Sequence, residues 1–189
     1  MSVATALLTA EDLLQLPRDH GRYELVEGVL HRMPPPGFEH GSVAAQFAGL
    51  LFAHVHAHKL GRVLAAETGF LIASAPDTVR APDVSFLSNE RLQEAAFDRQ
   101  KYFPGAPDFL VEVLSASDSY SDVEKKVVGW LAAGARVVVL ADPAPALLFV
   151  HRPGRPVEIL SKADTLDVSD VVHGWTVRVS EIFEVEIAS

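Results

Sequence analysis

Cysteine is absent from all 189 residues. This excludes a disulfide framework and a thiolate zinc site, so any metal must be held by carboxylate, histidine or backbone oxygen. Long apolar runs are missing too: no segment approaches the roughly 18 apolar residues that span a bilayer, and the stretch from Met1 to Ala10 has no basic leader. The expected location is cytoplasmic, with no membrane contact. Cations are scarce, with 16 Lys and Arg against 25 Asp and Glu and a net charge of -9. That balance argues against a broad nucleic-acid surface, which draws on clustered Lys and Arg, but is compatible with a small local basic groove. Gly-rich phosphate loops are lacking, and the single glycines sit at turns.

What is present is apolar: 49% of the chain is hydrophobic. That is enough for one sizeable core, so one domain over residues 1–189 is expected. Thr9 caps a short helix with Leu13 and Leu16 on one face, and Pro17 stops it. Tyr23–Val26 and Val29–Met33, joined through Glu27-Gly28, read as a hairpin that Pro34-Pro35-Pro36-Gly37 ends. Val43, Phe47, Leu50, Leu51 and His54 recur at helical spacing from Ser42 to about Lys59, with Gly61 placed for a left-handed stop. Strand-like runs follow at Val63–Ala73, Asp83–Leu87 and Asp108–Leu114. Ser121 to Glu124 matches a capping box for a helix that ends at Gly134. Arg136–Ala141 suits a central strand, Leu147–His151 and Val157–Leu160 are weaker strands, and Asp170–Phe183 reads as a strand-and-turn appendix. The order of helix, three strands, helix and strand, with a hairpin before and another after, predicts a mixed α/β sheet flanked by helices.

Two of the apolar runs carry a carboxylate. Glu112 lies between Val111 and Val113 in a segment that otherwise reads as a buried strand, and Asp83 opens another directly after Pro82. Alternation puts Leu110, Glu112 and Leu114 on one face and Phe109, Val111 and Val113 on the other. An unpaired carboxylate there costs several kcal/mol, so Glu112 calls for a cation or donors. If the two strands are neighbours, Asp83 and Glu112 could share a divalent ion, and two carboxylates plus a substrate phosphate is a common way to hold Mg2+. Lys126 stands one turn after Asp122 and one turn before Trp130, on the helix that follows the Glu112 strand, so it could reach back to both carboxylates.

These segments resemble a known family. Tyr23 to Gly28, Pro35 to Gly41, Arg80 to Val84, Val111 to Ser115 with Asp118, and Lys126 through Trp130 to Gly134 are similar, in order and over nearly the whole chain, to the Uma-two family of restriction endonucleases. The resemblance implies the PD-(D/E)XK nuclease superfamily, hence a restriction-endonuclease-like core and Mg2+ (or Mn2+) dependent hydrolysis of DNA. It implies that Asp83 and Glu112 are the metal-binding acids, that Lys126 replaces the motif lysine whose place Leu114 takes, and that Glu24 is an auxiliary acid. His40 matches a family motif without a derivable task, though it could orient a ligand or water. Arg80 is a candidate for contact with the DNA backbone. Such folds often act on duplexes as symmetric pairs, so a homodimer is expected.

Other histidines and serines support less. His54 and His58 could bracket zinc at i and i+4, yet His54 also sits on the apolar face. Ser115, Ser117, Ser119 and Ser121 read as turn and cap residues, since no adjacent histidine supplies a base. Two further classes stay open: a nuclease fold that binds or regulates without cutting, consistent with the net acidity, and a small-molecule metalloenzyme using His31, His40 and the carboxylates.

Overall fold

The computed structural model describes residues 6–17, 21–115 and 118–184, so the first five residues and Ser117 lie outside the described residues. The chain opens with α1 (Ala10–Leu14), β1 (Arg22–Val26) and β2 (Val29–Met33). Then come α2 (Phe38–His58), β3 (Gly61–Ala65), β4 (Phe70–Ala73), β5 (Thr78–Arg80), β6 (Val84–Ser88), α3 (Asn89–Glu94), β7 (Phe103–Pro104) and β8 (Phe109–Val113). It ends with α4 (Tyr120–Ala132), β9 (Val137–Asp142), β10 (Leu147–His151), β11 (Glu158–Leu160), β12 (Thr165–Asp167), β13 (Thr176–Arg178) and α5 (Val179–Phe183).

A six-stranded mixed sheet runs in the order β11-β10-β9-β8-β6-β3, with β8 and β9 parallel and the other pairs antiparallel. Followed through this sheet alone, the chain reads α2, three strands, α4, strand, the order expected from the sequence. Strands β4, β5 and β7 leave it to join the β1–β2 hairpin in a five-stranded sheet, β2-β1-β5-β4-β7. The run Val63–Ala73 is therefore not one strand-like segment, because β3 and β4 belong to different sheets. Glu27 and Gly28 both have positive φ, 51° and 76°, the tight turn whose twist matches a hairpin.

Strand alternation sorts the core. Phe109, Val111 and Val113 point to the layer that holds α2, where Phe47 and Phe109 pack against Trp175 at ring-centroid distances of 6.4 and 5.8 Å. Leu110 points the other way, to Val127 and Trp130 of α4 and Phe70 of the second sheet. Glu112 shares that second face.

Three boundaries differ from the sequence reading. Helix α2 begins at Phe38, before Ser42, because Gly37 supplies an extended N-cap. Its left-handed cap is Lys59, φ 55°, while Gly61 already lies in β3, where a Cβ would collide with the Leu87 carbonyl oxygen. Helix α4 is capped by Ser119, not Ser121: the Ser119 hydroxyl accepts from the Asp122 N–H at 3.2 Å. The closing appendix also ends in a helix, α5, with Ile182 buried in the core.

Candidate active site

The Arg80-Ala81-Pro82-Asp83 segment is where the chain crosses from one sheet to the other, since β5 ends at Arg80 and β6 starts at Val84. Pro82 cannot donate to a ladder, which suits a residue between two pairings. In β6 and β8, Val84 pairs with Val111. Continuing that register sets Asp83, the residue just before β6, opposite Glu112, near enough for its charge to act on the Glu112 carboxyl. In β1 and β5, Leu25 pairs with Val79, and the same continuation sets Glu24 opposite Arg80.

Each acid is held. Asp83 Oδ2 accepts from the Val113 N–H at 2.8 Å and lies 3.2 Å from His40 Nε2. Glu112 Oε1 accepts from the Trp130 indole N–H at 2.9 Å, while Oε2 lies 3.9 Å from Lys126 Nζ, a charge contact too long for a hydrogen bond. Glu24 is buried, with Oε2 accepting from Arg80 at 2.9 Å and Oε1 from the Ala81 N–H at 3.2 Å.

Helix α4 sets the lysine. Val127 and Trp130 are its buried residues, and Lys126, beside them and one turn from Trp130, keeps 23% of its side chain exposed. Its head lies over Glu112, and it lines a groove of about 1070 Å3 together with Glu24, Arg80, His31 and Gly129. His40, in the first turn of α2, enters from the other side of Asp83.

The electrostatics follow from this crowding. Burial pushes the Glu112 carboxyl up to about 7, helped by the nearby charges of Glu24 and Asp83 and opposed by Lys126 and the Trp130 hydrogen bond. The Glu112 charge raises Lys126 above its ordinary value against the effect of burial, so it stays cationic at neutral pH. The hydrogen bond to Asp83 raises His40 in the same way.

Among the described residues no group of three or more His, Asp or Glu side chains is arranged to hold a metal unaided. Asp83 and Glu112 still suit a hard divalent ion, because each keeps one carboxylate oxygen without a hydrogen bond among the described residues. Water and a phosphate would complete such a shell. Glu24, with both oxygens engaged, is better placed to orient Arg80 than to bind an ion directly.

The sequence did not reveal the Trp130 donor to Glu112 or the His40 contact with Asp83. Trp130 carried a signal, since it shares a helix face with Lys126; His40 carried only its place in a motif. His31 and His40 line different cavities, so the structure does not bring them into one metal site. His54 and His58 are used structurally, each in a 2.9 Å hydrogen bond to a backbone carbonyl, those of His173 and His54.

The family described as "Uma2: Putative restriction endonuclease" matches residues 10–180. The chain belongs to the Uma2 family. Its fold is similar to that of "a putative nuclease belonging to DUF820 from Anabaena variabilis ATCC 29413", with a TM-score of 0.77 and 21% identity over 93% of this chain and 97% of that one. A "DrdV-DNA complex" matches at a TM-score of 0.33 and 13% identity over 78% of this chain and 99% of that one, too slight a likeness to inform the fold. No curated protein matches. Family and fold together make this a nuclease-like protein, and among the described residues no helix is long and apolar enough to cross a membrane.

Proposed function

We propose that this Uma2 member is a divalent-cation-dependent nuclease that hydrolyses DNA phosphodiester bonds at Asp83, Glu112 and Lys126. The observation that supports the reading is the Lys126 ammonium 3.9 Å from Glu112, the strand residue that the β6–β8 register sets across from Asp83. The structural neighbour described as "a putative nuclease" supports the same reading.

Asp83 and Glu112 would hold Mg2+ or Mn2+, which when bound polarises a phosphate and lowers the pKa of water. The Val113 N–H and the Trp130 indole each hold one oxygen of these carboxylates, which leaves the other oxygen of each for an ion. Lys126 supplies positive charge where negative charge grows on the phosphate and donates to the attacking water. Arg80, steered by Glu24, contacts the backbone beside the scissile bond, and His40 braces Asp83. Cytoplasmic placement and a homodimeric state belong to the same proposal, the second open to analytical ultracentrifugation.

The test is cleavage of single-stranded, duplex and nicked DNA in Mg2+ and Mn2+, beside Glu112→Gln and Asp83→Asn. Cleavage in both variants at the parent rate refutes the assignment. A nuclease fold that binds or regulates a partner without cutting is the second reading, favoured by the acidic lining of the groove, where Glu24, Glu27, Asp118, Asp122 and Glu124 outnumber Lys125, Lys126 and Arg80. It is distinguished by the absence of cleavage in any cation.

A further inference from the structure

A second groove, of about 1230 Å3, lies on the other side of α4 and meets the first along Asp118, Glu124 and Val128. Its floor is apolar, built from Val123, Val127 and Leu131 of α4 and from Leu140, Phe149 and Val157. Its polar rim is acidic, with Glu39, Asp118, Glu124 and Asp142, and among the described residues no Lys or Arg lines it. His40 closes the end next to Asp83, so the groove is continuous with the candidate active site.

Two exposed aromatic residues line this groove or adjoin its lining in sequence. Tyr120, the first residue of α4, lines the groove and is 83% exposed; Phe38, the first residue of α2, directly precedes the lining residues Glu39 and His40 and is 87% exposed. Neither makes a ring–ring contact among the described residues, so packing does not account for them. His40 and His151, both lining residues, each also keep a ring nitrogen with no hydrogen-bond partner among the described residues.

The occupant must therefore have an apolar face, a hydrogen-bonding edge able to donate to carboxylates, and no negative charge seated in the groove. A phosphate is excluded by the rim, and a stacked base pair in a duplex exposes too little apolar face. An unpaired nucleobase meets all three conditions: it stacks on exposed aromatics, and exocyclic amines donate to carboxylates.

We propose that this groove receives an unpaired base of single-stranded DNA whose neighbouring phosphate lies at the Asp83–Glu112 cluster. The inference rests on the nuclease reading and makes the preferred substrate a single-stranded or locally unpaired segment, not an intact duplex. Unstacking is least costly where pairing is already lost.

The test is fluorescence anisotropy with the whole protein in Ca2+, using a mixed-sequence single strand, its duplex, and the same strand built with abasic units. The single strand should bind more tightly than the duplex, and the abasic strand should lose most of its affinity. Tyr120→Ala and Phe38→Ala should each weaken single-strand binding by about fivefold or more, the lower end for base–aromatic stacking, while Tyr120→Phe retains it. Both side chains are exposed, and a thermal melt confirms that folding is unchanged. Equal binding of abasic and intact strands overturns the inference, as does absence of binding, or a single strand bound as tightly by the Ala variants as by the parent. A parent dimer that Tyr120→Ala dissociates in ultracentrifugation also overturns it, by making the patch an interface between copies. Base-dependent binding without cleavage in any cation sinks the nuclease reading alone; cleavage with base-independent binding sinks this inference alone.

Discussion

Replacing Glu112 by Gln should stabilise the protein at neutral pH while removing its proposed activity. The carboxyl is buried and pushed up to about 7 from an ordinary 4.5. Between those values the folded protein keeps a proton that the unfolded chain has lost, so the native state binds more protons and stability falls as pH rises. Above about 7 both states are ionised and the full cost of burying the charge is felt. At about 1.4 kcal/mol per pH unit, the interval from 4.5 to about 7 corresponds to about 3 kcal/mol. Gln has nearly the same shape, still accepts from the Trp130 indole and carries no charge. The parent should therefore lose about 3 kcal/mol relative to Glu112→Gln between about pH 4 and pH 8, roughly 6–12 °C in Tm for a chain of this size. His40, raised by Asp83, gives stability that is present below its unfolded value and lost as pH rises through its folded one. That slope occurs in both proteins, somewhat smaller in the variant because the Glu112 charge is one, the least, of the causes that raise His40, so the difference reports chiefly on Glu112. In the parent Lys126 stays charged throughout the window, held above its ordinary value chiefly by the Glu112 charge. Urea titrations of both proteins across this range provide the measurement, and excess Mg2+ should flatten the slope of the parent alone. A difference that is constant with pH, or that favours the parent as pH rises, would refute the burial argument.

Three further outcomes follow from named contacts. Arg80→Ala leaves Glu24 buried against only the Ala81 N–H, and should cost roughly 3–5 kcal/mol in chemical denaturation. Trp130→Phe removes the donor to Glu112 and should cost about 1–3 kcal/mol for the unsatisfied oxygen, plus a cavity term; it should also move the Glu112 titration further up, visible in its carboxyl carbon shift. Gly129→Ala should stabilise by up to about 1 kcal/mol, since an added Cβ meets only Ile72 Cδ1 at 3.6 Å; a lowered Tm would show that α4 needs the glycine.

Local pattern carried much of this protein. The hairpin, α2, α4 and the β8–β9 core follow from apolar spacing and turn chemistry, which act over a few residues and need no partner. Alternation alone put Glu112 on the face opposite Val111 and Val113, and the Thr9 and Gly134 signals sit where helices α1 and α4 begin and end. Boundaries were less legible where several residues could serve: Ser119 and Ser121 are both good caps, and only the Ser119 hydroxyl meets an amide with the correct geometry.

Tertiary structure decided the pairings. Whether Asp83 lies across from Glu112 depends on register between strands over 20 residues apart in sequence, and a slip of one residue would turn either carboxylate to the opposite face. The split of the run after Gly61 into two sheets, the pairing of Glu24 with Arg80, the indole aimed at Glu112 and the imidazole at Asp83 all depend on how layers stack. Composition along the chain names the groups able to do chemistry; only packing brings them within hydrogen-bonding reach, because that distance is fixed by contacts between residues remote in sequence.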